Sequence, residues 1–108
     1  MAVTAVIVDD EIDTAGSITQ AAEVCLANGA TEVYATCVHS VLSGPAIERL
    51  QASAIKEVVV TDTINLPPEK QIDKITVLSV AALLGETIQR IHTGASVSAA
   101  YRSAKVLR

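Results

Sequence analysis

At 108 residues the chain has the size of one small domain, and a compact fold of that length buries somewhat under about 70% of its unfolded surface. A formal net charge of −4, a pI near 5.0 and the lack of any basic cluster argue against a nucleic-acid surface. No apolar run reaches the length of a membrane span and no charged-then-apolar leader is visible, so neither a membrane nor secretion is expected and the cytoplasm is the default. Half of the residues are hydrophobic, yet Phe and Trp are absent, so the core must come from Val, Ile, Leu and Ala. The mean hydropathy of +0.42 implies apolar surface that meets a further domain or a second copy.

Residues 4–9 form a continuous apolar run, the pattern of a strand covered on both faces. A helix from about Ser17 to Asn28 follows, with Ile18, Ala21, Ala22 and Cys25 on one face and Gly29 as its left-handed stop. Val33 to Val38 is predicted as the second strand, and a short helix runs from Ser43-Gly44-Pro45 to about Ala52. A third strand spans Val58 to Thr61. Leu66-Pro67-Pro68-Glu69-Lys70 reads as a solvated connector, because two prolines join neither a ladder nor a helix interior. A short strand near Ile75 to Val77 leads to a helix from Ser79 to about His92, with Val80, Leu83, Leu84, Ile88 and Ile91 expected to face the sheet. The tail reads as a short strand with a basic end. Strand and helix alternate, as in a parallel sheet with crossovers. Cys25 and Cys37 fall on apolar faces and read as small buried hydrophobes. With His39 and His92 far apart in sequence, no zinc pattern forms.

The first strand delivers Asp9 and Asp10 to the carboxyl edge of the sheet, where open α/β folds keep their ligands. The turn from Asp13 to Ser17 offers backbone N–H groups, the hydroxyls of Thr14 and Ser17, and the positive end of the next helix. Those donors suit a phosphate. Two carboxylates beside a phosphate repel it unless they hold sugar hydroxyls or share a cation, so the pattern points to a sugar phosphate with Mg2+ nearby. Asp9 and Asp10 would take the sugar hydroxyls, directly or through the metal. Thr14, Ala15, Gly16 and Ser17 would wrap the phosphate, with Gly16 the position where a side chain most obstructs that wrap. Asp13 is expected to cap backbone donors of the turn or helix start, and Glu11 and Ile12 to link the two halves without touching ligand. Taken alone, an acidic pair at a strand end is more often a solvated loop; the adjoining turn is what favours a site. His39 and Ser43 lie at the same edge and serve equally well as loop or subunit contacts.

The run Asp9-Asp10-Glu11-Ile12-Asp13-Thr14-Ala15-Gly16-Ser17 resembles the phosphoribosyl-diphosphate motif of type I phosphoribosyltransferases. It is most similar to the ribose 5-phosphate loop of the ribose-phosphate pyrophosphokinase family, with Ser17 where that family has Thr. The similarity extends through Asn28-Gly29-Ala30, Glu32-Val33-Tyr34-Ala35, His39, Leu42-Ser43-Gly44-Pro45-Ala46 and Ser96-Val97-Ser98.

The resemblance implies a parallel-sheet α/β fold of phosphoribosyltransferase type, Rossmann-like, in three αβα layers. It also implies that residues 1–108 are a single carboxy-terminal domain, roughly the last third of a longer enzyme, with Met1 the start of an excised segment. The ATP pocket and the basic catalytic loop would lie upstream. All eight Lys and Arg residues lie at or after Arg49, so no catalytic residue is assigned here and the segment alone is expected to be inactive. Expected partners are ribose 5-phosphate, ATP through the absent part, and further copies of the chain. Ser96, Ser98 and Tyr101 align with an inhibitory nucleotide site between subunits, although Ala99 and Ala100 replace larger residues and Tyr101 stands for Phe. Alternatives are a phosphoribosyltransferase, a catalytically silent regulatory homologue, or, more remotely, a response-regulator receiver in which Asp62 accepts phosphate.

Overall fold

Four parallel strands come from a repeated strand-then-helix pattern: β1 (Thr4–Ile12), α1 (Gly16–Ala27), β2 (Glu32–Ser40), α2 (Ala46–Ala52), β3 (Ile55–Thr61) and β4 (Ile75–Leu78). The structure is a computed structural model and describes residues 2–102. Spatial order follows chain order, β1-β2-β3-β4. Every crossover therefore steps the same way, and right-handed crossovers of one direction place α1 and α2 on the same face of the sheet.

Alternation along the strands decides what that face buries. Val33, Ala35 and Cys37 of β2 and Val58 and Val60 of β3 are buried against Ile18 and Ala22 of α1 and Ala46 and Leu50 of α2. The alternate positions of β1 are open, Val6 being 60% and Val8 74% exposed. The apolar run of β1 is thus not covered on both faces, contrary to its expectation from sequence. Small side chains let the layers approach closely, and neither Phe nor Trp is needed.

The strands are longer than their apolar runs. β1 continues through Asp9, Asp10 and Glu11 because its backbone stays paired with β2, in the register Asp9↔Cys37 and Glu11↔His39. β3 begins earlier, at Ile55, where the β2–β3 register shifts between Val33 and Ala35. The Pro-rich connector is not wholly solvated either. Leu66 is buried, Gln71 Nε2 donates to its carbonyl at 2.8 Å, and Pro68–Lys70 forms a single 3-10 turn. Lys74 seats the end of α2, its Nζ donating to the carbonyls of Leu50 at 2.8 Å, Ser53 at 3.1 Å and Gln51 at 3.3 Å. A cation on those terminal carbonyls satisfies acceptors that the helix itself leaves open.

The chain divides into two compact units, Met1–Leu78 and Ser79–Arg108. The second contains α3 (Ala81–Thr93), closed by Gly94 in the left-handed region at φ 76°, and a 3-10 turn at Ala100–Arg102. That turn stands where a strand was expected, and buried Ala100 anchors it through its N–H to the Val97 carbonyl at 3.0 Å. Lys105 and Arg108, the expected basic end, lie outside the described residues. Leu84, Ile88 and Ile91 of α3 are each more than half exposed. Both thiols are free, Cys37 buried and Cys25 half-buried, and burial pushes the Cys37 thiol above its ordinary value.

Truncating Leu50, which is fully buried between sheet and helices, should cost about 2–5 kcal/mol in Leu50→Ala, while Val8→Ala on the open face should stay within about 0.5 kcal/mol. Urea unfolding of the two variants checks the assignment of faces; equal losses would contradict it.

Candidate functional site

The acidic end of β1 is arranged by its own backbone. Asp9 Oδ1 accepts the N–H of Asp10 at 2.8 Å, and Asp10 Oδ1 accepts the N–H of Glu11 at 2.9 Å. Each carboxylate is turned back on the chain and keeps a second oxygen for another partner. Both residues are exposed. Contact with the Asp9 side chain first, then the Glu11 amide, holds the Asp10 carboxyl below its ordinary value of 3.8.

Beyond the strand the chain reverses through Asp13 and Thr14 into α1. Ala15, the residue before the helix, is buried and left-handed, with φ 66°. That conformation is uncommon for a residue with a Cβ and marks a turn held by its surroundings. The surroundings are the loop after β2. Leu42 N–H donates to the Ile12 carbonyl at 3.0 Å and Ser43 N–H to the Asp13 carbonyl at 2.9 Å. The Ser43 hydroxyl donates to Asp13 Oδ1 as well. Asp13 was expected to cap the turn or helix start; its carboxylate instead accepts from Ser43, and no side chain caps α1. The first amides of the helix are therefore left for solvent or a ligand. Thr19 binds back to the Ala15 carbonyl through its hydroxyl at 2.7 Å and its N–H at 3.2 Å, closing the first turn.

These features enclose an open hollow of about 250 Å³ lined by residues 9–18. Asp9, Asp10, Asp13, Thr14, Ala15, Gly16 and Ser17 all lie on its wall. Glu11 and Ile12 belong to the wall too, although Ile12 is 3% exposed and belongs chiefly to the core. His39 stands at the same sheet edge, paired in register with Glu11, with its Nδ1 2.8 Å from the Thr63 hydroxyl. Among the described residues, no group of three His, Cys, Asp or Glu could hold a metal. A magnesium ion here would depend on Asp9, Asp10, substrate oxygens and water.

The residue that sequence reasoning missed is Arg49. Its Nη1 donates to the Thr14 carbonyl at 3.1 Å across a separation of 35 residues. A Cβ built on Gly16 would lie 3.1 Å from the same Nη1. A side chain there would require the guanidinium to shift by a few tenths of an ångström. The left-handed backbone falls on Ala15, one residue earlier. No motif marks Arg49; only the seating of α2 beside α1 brings it to the turn.

The proposed regulatory residues belong to the second unit. Ser96 and Ser98 are exposed with hydroxyls 3.0 Å apart, and Arg90 Nη1 holds the Ser96 carbonyl at 3.1 Å. The side chain of Tyr101 lies outside the described residues.

Fold and hollow together define a parallel α/β protein with a polar site at the carboxyl ends of its strands. More narrowly, the chain belongs to the phosphoribosyl synthetase-associated domain family, whose model matches residues 2–102. It is 66% identical over 94 residues to a ribose-phosphate pyrophosphokinase of Caldanaerobacter subterraneus subsp. tengcongensis, covering 87% of this chain and 30% of that protein. A ribose-phosphate pyrophosphokinase of Bacillus subtilis is 58% identical over 95 residues, covering 88% and 30%. The crystal structure of phosphoribosylpyrophosphate synthetase from Mycobacterium smegmatis superposes with a TM-score of 0.83 at 38% identity, over 86% of this chain and 31% of that one. The chain thus spans about 30% of the length of the curated relatives it matches. Among the described residues no helix is long and apolar enough to cross a membrane.

The lowered Asp10 carboxyl has a checkable consequence. A depressed folded-state value means that this carboxylate favours the fold above its unfolded value and loses that contribution as pH falls through the folded one. A carbon-detected NMR titration should give Asp10 a midpoint below 3.8; a midpoint at or above it would contradict the hydrogen-bonding described here.

Proposed function

We propose that the chain is the carboxy-terminal domain of a ribose-phosphate diphosphokinase and that its hollow binds ribose 5-phosphate. The observation that carries this reading is the joint wall of residues 9–18, two carboxylates at a strand end facing an uncapped helix start. The 5-phosphate would lie on the turn from Thr14 to Ser17, where peptide amides and two hydroxyls are the available donors. Asp9 and Asp10, each with an oxygen not used by the backbone, would accept the ribose hydroxyls. A bound Mg2+ would supply charge neutralisation between these carboxylates, the sugar and the nucleotide.

In the complete enzyme the 1-hydroxyl of the sugar would attack the β-phosphorus of ATP. The new O–P bond would form as the bond to the AMP oxygen breaks, giving phosphoribosyl diphosphate for nucleotide synthesis. This domain would hold the acceptor in place, while the ATP site and the basic groups that stabilise developing charge come from the rest of the enzyme. The open alternate face of β1, with Val6 and Val8 exposed, leaves room for the third layer that an αβα arrangement requires. Homo-oligomerisation, a cytoplasmic location and a regulatory role for Ser96, Ser98 and Tyr101 belong to the same reading. A phosphoribosyltransferase would use the same cradle; the similarity to pyrophosphokinases favours the diphosphokinase.

Calorimetry with ribose 5-phosphate and magnesium tests the assignment. The chain should bind the sugar phosphate without turning over ATP, and Asp10→Asn should weaken binding by about tenfold, the order of one charge-assisted hydrogen bond. No heat above dilution for the unaltered chain would refute the assignment.

A further inference from the structure

We infer that Arg49 is a positioning residue of the phosphate turn: it holds the Thr14 carbonyl on the outer side so that the Ala15 amide is presented to the anion. The inference rests on reading the hollow as the ribose 5-phosphate site. It begins from the 3.1 Å bond between Arg49 Nη1 and the Thr14 oxygen. In a trans peptide the carbonyl and the following N–H point in opposite directions, and no cis peptide occurs among the described residues. Fixing the Thr14 oxygen on Arg49 therefore turns the Ala15 N–H away from the guanidinium.

Ala15 is the left-handed residue of the turn, with φ 66°, and its buried methyl gains nothing from that backbone region. Something must pay for that conformation, and a charge-assisted bond to the adjoining peptide is suited to it. Gly16 completes the device. A Cβ there would stand 3.1 Å from Arg49 Nη1 and would press the guanidinium away from Thr14 by a few tenths of an ångström. A second, separate hollow of about 520 Å³, whose lining includes Gly16, Thr19, Glu23, Arg49 and Ser53, leaves the arginine side chain accessible on that outer side. Arg49 itself is carried on α2, whose seating owes much to Lys74 and to buried Leu50.

The inference separates positioning from charge. Arg49→Met removes both the bond and the cation; Gly16→Ala keeps the cation and displaces it from Thr14. Each should weaken ribose 5-phosphate binding by the 108-residue chain about tenfold in calorimetry with magnesium. The decisive quantity is the double variant. If Gly16→Ala acts by displacing Arg49, it should cost under about twofold once Arg49 is already Met, because the two changes break the same link. In the ligand-free protein, the carbonyl 13C shift of Thr14 should move in both single variants.

Binding within about twofold of the unaltered chain in Arg49→Met overturns the inference. So does a Gly16→Ala loss that is equal in both backgrounds, which would mean that the new methyl obstructs the phosphate directly. Closure of the Arg49→Met difference at 1 M salt would show long-range charge alone and overturn it as well. If Arg49→Met fails to fold, Gly16→Ala and its Thr14 shift decide the matter: an unmoved shift overturns the inference. Absence of binding by the unaltered chain removes the site reading itself, whereas normal binding with an insensitive Arg49 removes only this inference.

Discussion

Two backbone hydrogen bonds and one hydroxyl join the ends of the first two strands, and the site depends on them. Leu42 and Ser43 donate to Ile12 and Asp13, and the Ser43 hydroxyl adds the Asp13 carboxylate. Without that staple the reversal from β1 into α1 would have only a few local contacts to oppose the left-handed Ala15. Leu42 is itself left-handed, with φ 50°, and fully buried. Its side chain in the core offsets the backbone cost, since burying a leucine is worth about 1.5–3 kcal/mol and the strain about 1–3. The two uncommon backbone residues, Ala15 and Leu42, are both buried.

Electrostatics at the hollow are balanced by backbone more than by side chains. Asp9, Asp10, Glu11 and Asp13 crowd one wall in a chain whose net charge is already −4. The carboxylates are tolerable because each of Asp9 and Asp10 faces a peptide N–H, Asp13 faces a hydroxyl, and the strand end is open to water. An anion added there would meet strong repulsion from the same wall. Only the helix start, the turn amides and Arg49 oppose it. The spatial split, carboxylates on the strand side and donors on the helix side, is what allows one hollow to suit a ligand with a hydroxylated end and an anionic end.

Much of this was legible in the sequence because it is local. The strand of residues 4–9, the helix after Gly16, the position of Gly29 and the acidic strand end all follow from periodicity and turn chemistry over fewer than a dozen residues. What failed was non-local. The coverage of a sheet face depends on the direction of each crossover, which apolar runs do not encode, and so Val6 and Val8 were expected to be buried. The partner of Asp13 is thirty residues away at Ser43, beyond the reach of a capping rule that considers only neighbours in sequence.

Gly16 shows how a turn residue can answer to a neighbour far away in sequence. A glycine in a phosphate turn invites the explanation that its backbone adopts a conformation closed to other residues, or that a side chain would strike the ligand. The first does not fit the geometry found. The positive φ belongs to Ala15, and the Cβ direction of Gly16 leads to a guanidinium rather than into an empty wall. Beside that glycine stands a cation that the sequence places 33 positions later, on another helix, where no pattern links the two. The turn's shape is a property of two elements, α1 and α2, and can be altered from either. A change that tilts α2, by weakening the grip of Lys74 on its last carbonyls, would reach the Thr14 peptide through Arg49 with no alteration in the motif itself.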